Sequence, residues 1–430
     1  MTELKRSLNF THLLFYGVGT IVGAGIYSII GSAAQTAGPA VWISFVLASV
    51  AALITALSYA ELVSAFPRAG AEYHFLREAF PQVRLLAFLG GLLIALNAAA
   101  TSATVALAFG GYLNVFLKVP IGLAAFILLI VCTMLNIAGI REATWVSMGL
   151  IGIEVGGLLV FIIFGIPHAQ WERAFVLPSL DLIPNVIGVA ALVFFVYIGF
   201  QDVANLAQEA KQAEKHVPWA LLISVLITSA IYLIVVFVAI AIDSIDAMAA
   251  SNAPLEAAAR RIHPALGKLL GITALFATAS TALISLVSIS RLLYGMAQGS
   301  DMPKILGKTW KRRQTPWVAA LFLFIGASVL LTLEHIKIVA SVSSLGMLIV
   351  FIAVQTAMIV LRYTQPALKR SFFVPGSIGK LPVLPLIGIA ITFVLLLQFE
   401  TKIYAIVTAT LLSGWAGYRL RSAYSGAQKP

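Results

Sequence analysis

Long apolar runs alternate with short polar stretches along the whole chain. Each run is long enough to cross a bilayer as a helix of roughly 20 residues. The pattern predicts helices over residues 9–33, 39–66, 84–113, 120–139, 144–166, 184–210, 217–242, 265–297, 317–333, 336–362, 381–399 and 402–420. These are about twelve spans, with no room for a soluble domain between them, so residues 1–430 are expected to form one transmembrane domain. The expected fold class is an all-α membrane protein.

Three places break the pattern at membrane depth. The first is Gly17-Val18-Gly19-Thr20-Ile21-Val22-Gly23-Ala24-Gly25-Ile26-Tyr27, near the middle of the first span. A helical glycine costs about 1 kcal/mol relative to alanine, and an unpaired backbone group in hydrocarbon costs several times more. Two readings are open. Gly19 and Gly23 form a G-x-x-x-G pair suited to close helix packing. Alternatively the helix is broken on purpose, and its freed N–H groups face a bound anion. A dinucleotide fingerprint is a poor fit, because no strand precedes the glycines.

The second break is in the sixth span, where Gly199, Gln201, Asp202 and Asn205 follow Val193 to Ile198. An acid inside a membrane usually faces a cavity or a partner. The plainer reading is a helix–helix hydrogen bond from Gln201 or Asn205, with Asp202 already at the interface. The third is Glu154, roughly ten residues from either end of a span with no other charge. A carboxyl at that depth is costly to ionise and suits proton coupling; the alternative is a neutral acid hydrogen-bonded to a neighbouring helix.

The breaks in spans one and six lie five helices apart. That is the pattern of a five-plus-five inverted repeat, with two discontinuous helices around a midplane site. The repeats would cover residues 9–166 and 184–362, with two additional helices over 381–420. The half-helix starting near Gly25 would aim N–H groups and its positive end at an anion. Freed carbonyls from Phe195 to Ile198 would accept hydrogen bonds from a cation. Donors beside acceptors suit a zwitterion, with the carboxylate at span one and the ammonium at span six.

Composition and charge narrow the class. The chain is 60% hydrophobic and 10% charged, against about 25% charged in soluble domains. Its net charge of +11 would permit nucleic-acid binding, but the distribution argues for a bilayer. With a cytoplasmic N-terminus, 21 of the 28 Lys and Arg residues fall on inside segments, the positive-inside bias. Both termini are then cytoplasmic, and Lys308, Lys311, Arg312 and Arg313 form an anchor near anionic headgroups. The single cysteine, Cys132, excludes an intrachain disulfide, and no histidine spacing suggests a metal. The first apolar segment lacks a cleavage signal and is expected to remain in the protein. The sequence carries no nucleophile set or cofactor motif, so neither catalysis nor a cofactor is expected. Ser280, Thr281, Ser285 and Ser288 along the eighth span either satisfy backbone groups or offer oxygens to sodium.

Four groups of residues carry a family resemblance. The glycine stretch from Gly17 to Tyr27 resembles the first-helix motif of amino acid permeases of the amino acid–polyamine–organocation (APC) superfamily. Residues 59–70, with Tyr59, Glu61, Pro67 and Gly70, followed by Glu72, Tyr73 and Leu76 to Phe80, are similar to its loop after helix two. Tyr197 to Phe200, Glu209 to Lys211 and Val217 to Ala220 resemble its sixth helix and the loop beyond. Ser290, Arg291, Gly295 to Gln298, Met302 and Pro303 match its eighth-helix end.

The resemblance implies a leucine-transporter-type fold and alternating-access transport of amino acids or amines across the plasma membrane, as of a bacterial inner membrane. Proton-coupled symport is the expected mode; exchange, (poly)amine transport and sodium coupling are the alternatives. The carboxylate site implied is Gly23, Ala24 and Gly25, lined by Ile21. The amine site implied is the backbone of Phe195, Val196 and Ile198. Gln201 stands where many members place an acidic or polar residue, and Ser102 and Ser285 are expected to line the pocket. Glu154 departs from proton-coupled members, which often carry lysine there; with Asp202 it is the expected proton-coupling pair.

Overall fold

The computed structural model describes residues 8–426, except positions 69, 139, 208–209, 252, 299–301, 311–314 and 333–335. Glu209 and the basic residues Lys311, Arg312 and Arg313 lie outside the described residues.

The chain folds into helices joined by short turns. They are α1 (Phe10–Val22), α2 (Gly25–Ala37), α3 (Val41–Ala65), α4 (Ala71–Ala79), α5 (Arg84–Leu117), α6 (Ile121–Ala138) and α7 (Ile140–Gly165). Then come α8 (Ile183–Val193), α9 (Asp202–Asn205), α10 (Ala213–Ile242), α11 (Ile245–Ala250), α12 (Pro254–Ile262) and α13 (Pro264–Gln298). The last are α14 (Trp317–Leu331), α15 (Ile336–Thr364), α16 (Val383–Leu396) and α17 (Thr401–Gly426). A two-residue hairpin, β1 (Ser377–Ile378) with β2 (Leu381–Pro382), interrupts the helical pattern between α15 and α16.

Among the described residues, nine helical stretches are long and apolar enough to cross a membrane. The count reaches ten when α16 and α17, bent by 113° to each other, are taken as one broken span. The protein is therefore a multi-span membrane protein, with fewer qualifying spans than the twelve apolar runs. Two places account for the difference. The described part of α14 is 15 residues, under the length that qualifies, and positions 333–335 after it lie outside the described residues. The corner after Leu396 merges the last two runs into one bent pair. The expected boundary between the first two runs coincides with Gly38, whose φ of +63° ends α2 before a short turn leads into α3. No side chain fits that backbone as cheaply as glycine's hydrogen.

Burial follows the solvent expected of lipid. Large apolar side chains such as Phe15, Met134, Ile163 and Ile325 face outward, while Glu61, Asn97, Glu154 and Gln355 are buried. In the interior, α5 packs on α13, α15 and α6, and α10 packs on α3 and α1. Each buried polar group then needs a partner inside the protein.

One such group ties the loop helix α4 to the segment around α9. Glu72, in the first turn of α4, is 1% exposed and accepts a hydrogen bond from the Tyr59 hydroxyl at 3.3 Å. It also bonds Asn205, whose Oδ1 accepts the Ala71 N–H at 2.8 Å. Burial pushes its pKa from the ordinary 4.5 up to about 7, and the nearby Asp202 carboxyl adds to the rise, against the hydrogen bonds that lower it. A carboxyl whose folded pKa is raised stabilises the fold below its unfolded pKa and loses that contribution as pH rises through the folded value. Thermal stability of the purified protein should therefore fall between pH 4.5 and pH 7 and beyond, and Glu72→Gln should flatten this part of the profile. Melting curves across that range check it; an identical slope in both proteins would contradict the assignment.

Candidate functional site at two helix interruptions

Helical structure stops at Val22 and resumes at Gly25. Between them, Gly23 leaves the helix at φ 10° and ψ −156°, its N–H still bonded to the Gly19 carbonyl at 3.2 Å. The carbonyls of Ile21 and Val22 stand at this end of α1. The second interruption follows α8. A tight turn at Phe194–Tyr197 gives way to extended Ile198 and then to Gly199, whose φ is +133°. Residue 199 must be glycine for a second reason too: a Cβ there would lie 2.6 Å from the Thr20 carbonyl oxygen.

The two interruptions stand against each other. A Cβ on Gly25 would lie 2.9 Å from the Val196 Cα, so the start of α2 is pressed onto the backbone of the second interruption. Thr20 donates its hydroxyl proton among the carbonyls of Tyr16, Gly17 and, at 3.3 Å, Gly199. Glycine in this stretch thus serves both readings: it packs closely, and the place where it packs is the other break.

Tyr232 of α10 reaches both interruptions with one hydroxyl. Its hydroxyl lies 2.5 Å from the Ile21 carbonyl oxygen, 3.1 Å from that of Val22 and 3.1 Å from that of Val196. A phenol has one proton, so three carbonyls from both interruptions compete for one donor. The Ala24 N–H is met by Thr281 Oγ1 at 3.0 Å, and that hydroxyl in turn donates to the Ala277 carbonyl at 2.8 Å.

Thr281's neighbour on α13 engages the buried acid. Ser280 donates its hydroxyl to Glu154 Oε1, while Glu154 Oε2 has no partner among the described residues. The Glu154 main-chain carbonyl accepts the Tyr27 hydroxyl at 3.2 Å, and Tyr27 lies just beyond Gly25 on α2. Consecutive residues of α13 therefore touch the acid and the first interruption. Nothing in the sequence pattern marked that adjacency.

The other anticipated residues are dispersed. Gln201 turns its Oε1 back onto the Gly199 N–H at 2.9 Å, capping its own loop. Asp202 begins α9 and bonds Asn205 near Glu72, so the two acids Glu154 and Asp202 belong to separate hydrogen-bonded groups. Ser285 donates to the Ala98 carbonyl at 3.2 Å, while Ser102 is fully buried with no hydrogen-bond partner among the described residues. Ile21, Ala24, Phe195 and Val196 are all buried, and Ile198 is half-buried. Sequence reasoning missed Tyr232 altogether. Its signal was a tyrosine within an apolar span, where a hydroxyl must find a partner.

Residues 8–412 match the model of the amino acid permease family. The chain is 30% identical to the branched-chain amino acid permease BcaP of Bacillus subtilis (strain 168), with 92% of this chain and 88% of that protein covered. It is 27% identical to the mitochondrial cationic amino acid transporter 3 of Arabidopsis thaliana, covering 85% of this chain and 63% of the relative. Identity to the methylthioribose transporter of Bacillus subtilis (strain 168) is also 27%, over 90% of this chain and 87% of that one.

Removing the shared donor or separating the interruptions should weaken the fold. Tyr232→Phe strips three buried carbonyls of their donor, a loss of about 1–3 kcal/mol. Gly25→Ala forces Val196 away and should cost a similar 1–3 kcal/mol or so. Gly152→Ala, on the open side of α7 where a Cβ meets nothing within 4 Å, is the control. Thermal melting of the purified variants should place the first two below the parent and the control at or above it. Equal midpoints for all three would contradict the described packing.

Proposed function

Since the chain belongs to the amino acid permease family, we propose that it is a secondary transporter moving amino acids across the plasma membrane by alternating access. The observation that carries the reading is the apposition of the two interruptions, Gly25 on Val196 and Thr20 on Gly199, under one tyrosine hydroxyl. A helix N-terminus presents N–H groups and a positive dipole end to an anion. Carbonyls released from helical bonding present the complementary surface to an ammonium. We assign the substrate carboxylate to Gly23, Ala24 and Gly25, with Ile21 beside them, and the ammonium to the carbonyls of Phe195, Val196 and Ile198. In this assignment the carboxylate takes the Ala24 N–H from Thr281, and the ammonium shares the Val196 carbonyl with Tyr232. Ser102, Ser285 and Gln201 are assigned to the surrounding wall.

The architecture proposed is a five-plus-five inverted repeat over 9–166 and 184–362, of leucine-transporter type, with both termini cytoplasmic. The charge bias supports that orientation.

Glu154 is proposed as the proton carrier of a proton-coupled symport, with Asp202 in a second acidic group nearer the interface. Support comes from its place at full burial and from the link through Ser280 and Thr281 to the first interruption. Gain or loss of a proton at Glu154 changes what Ser280 can donate to, and Thr281 beside it holds the Ala24 N–H. Substrate and proton then act on adjacent residues of one helix.

Two outcomes test these assignments in proteoliposomes. Glu154→Gln should abolish accumulation driven by an imposed pH gradient while counterflow exchange of the same amino acid persists; undiminished accumulation would end the coupling assignment. The parent protein should also bind an α-amino acid at least about tenfold more tightly than its decarboxylated amine, the loss of one charge-assisted contact of roughly 1.5–3 kcal/mol. Equal affinity would remove the carboxylate from the first interruption and favour amine transport.

A further inference from the structure

A second buried charged group lies away from the interruptions. Glu61, near the end of α3, is fully buried, and every acceptor position of its carboxylate is used. Arg362 of α15 grips it with two nitrogens, Nε to Oε1 at 2.8 Å and Nη2 to Oε2 at 2.5 Å. Arg370, on the connector after α15, approaches Oε1 at 3.4 Å. The Val374 N–H donates to Oε2 at 2.8 Å. The free Nη1 of Arg362 reaches Ser377 Oγ at 2.6 Å, and Arg370 Nη2 caps the Leu361 carbonyl at 3.0 Å. Ser64 closes the arrangement through Phe372, accepting its N–H at 3.3 Å. Fork-on-fork pairing of this kind is geometrically demanding, and a buried charge left without its partner is strongly disfavoured.

The grip continues along the seam between α3 and α15. Gln355 Nε2 donates to Thr55 Oγ1 at 3.4 Å, seven residues before Arg362 on one helix and six before Glu61 on the other. The two helices therefore run parallel and end together. Tyr59 of α3 meets Phe351, one turn before Gln355 on α15, edge-on at 5.7 Å and Phe200 at 5.6 Å, while Phe351 lies 5.1 Å from Phe200 and 5.7 Å from Phe194. Phe194 and Phe200 bracket the second interruption. An aromatic wall carried by α3 and α15 thus covers it on this side.

We propose that Glu61, Arg362 and Arg370 are positioning residues that strap α3, α15 and the connector after α15 into one rigid unit, and so hold the Tyr59–Phe351 wall closed over the second interruption. This rests on the transport reading for its purpose, since a wall over a substrate site must open and close as a unit; the strap itself rests on the contacts. Substrate contact is not part of the role.

The test is a thiol-protection measurement on the purified full chain. Cys132→Ser removes the native thiol, and Val196→Cys places a reporter at a residue that is 1% exposed. Labelling by a soluble maleimide should be slow in this parent. Adding Glu61→Gln should accelerate it about tenfold by raising the population of the locally opened state. Phe351→Ala, which removes the wall and leaves the charges, should accelerate it similarly. Where Glu61→Gln yields no folded protein, Arg370→Gln carries the test, with an expected rise of about threefold from loss of the longer contact. Acceleration by Phe351→Ala but not by the charge variants would overturn the strap, as would parent-like labelling in all of them. The labelling rate reads the strap whether or not the protein transports; absence of amino acid uptake by the parent in proteoliposomes would strike at the transport reading alone.

Discussion

Hydrocarbon offers no hydrogen bonds, so a helix interrupted inside a membrane must find partners for every backbone group it releases. This constraint organises the middle of the protein. The interruption at Gly23 and Ala24 and the one at Ile198 to Gln201 are satisfied largely by each other and by a few side chains around them. Tyr232 serves carbonyls of both, Thr281 serves the Ala24 N–H, Gln201 serves Gly199, and Thr20 reaches the Gly199 carbonyl. One hydroxyl proton for three carbonyls is an incomplete solution. In the proposed assignment a ligand with spare donors, such as an ammonium, completes it.

The same constraint explains why the neighbours of the interruptions are charged or hydroxylated. Glu154 is tolerable at full burial because Ser280 donates to it. Glu61 is tolerable because two guanidinium groups and a backbone N–H saturate it. The first link runs through adjacent residues of α13 to the start of α2. The second runs through the α3–α15 seam to the aromatic residues flanking the other interruption. Each interruption is thus attached to its own buried acid, by packing and hydrogen bonds that are discrete contacts and can be removed one at a time.

The one-dimensional pattern made much of this legible. Glycines where a span should carry leucine marked Gly23 to Gly25, and the polar residues after Ile198 marked the other interruption. A lone carboxyl in an apolar run marked Glu154. Those signals are local, because each violates what a lipid-facing helix should contain. What stayed hidden depends on which turn of one helix faces which turn of another. Tyr232 looks unremarkable in its apolar span, and Thr281, one of four hydroxyl residues marked along the eighth span, turns out to serve the backbone, at Ala24. Gln201 was legible as a polar residue at the break, but not that its Oε1 accepts the Gly199 N–H. The described residues give nine to ten qualifying stretches against twelve apolar runs, the difference falling at the short α14 and at the corner between α16 and α17. The packing role and the ligand role of Gly25 were posed as rivals. Its contact with Val196 makes the packing role part of the geometry of the proposed site.

We propose above that the two apposed interruptions form the amino acid site. An experimental structure with a transported amino acid bound tests it most directly. The expected result is a carboxylate oxygen within hydrogen-bond distance of the N–H groups of Gly23 to Gly25, the Thr281 hydroxyl displaced from Ala24, and the ammonium against the carbonyls of Phe195 to Ile198 beside Tyr232. An amino acid bound elsewhere, with the Thr281–Ala24 and Tyr232–Val196 contacts unchanged, would contradict it.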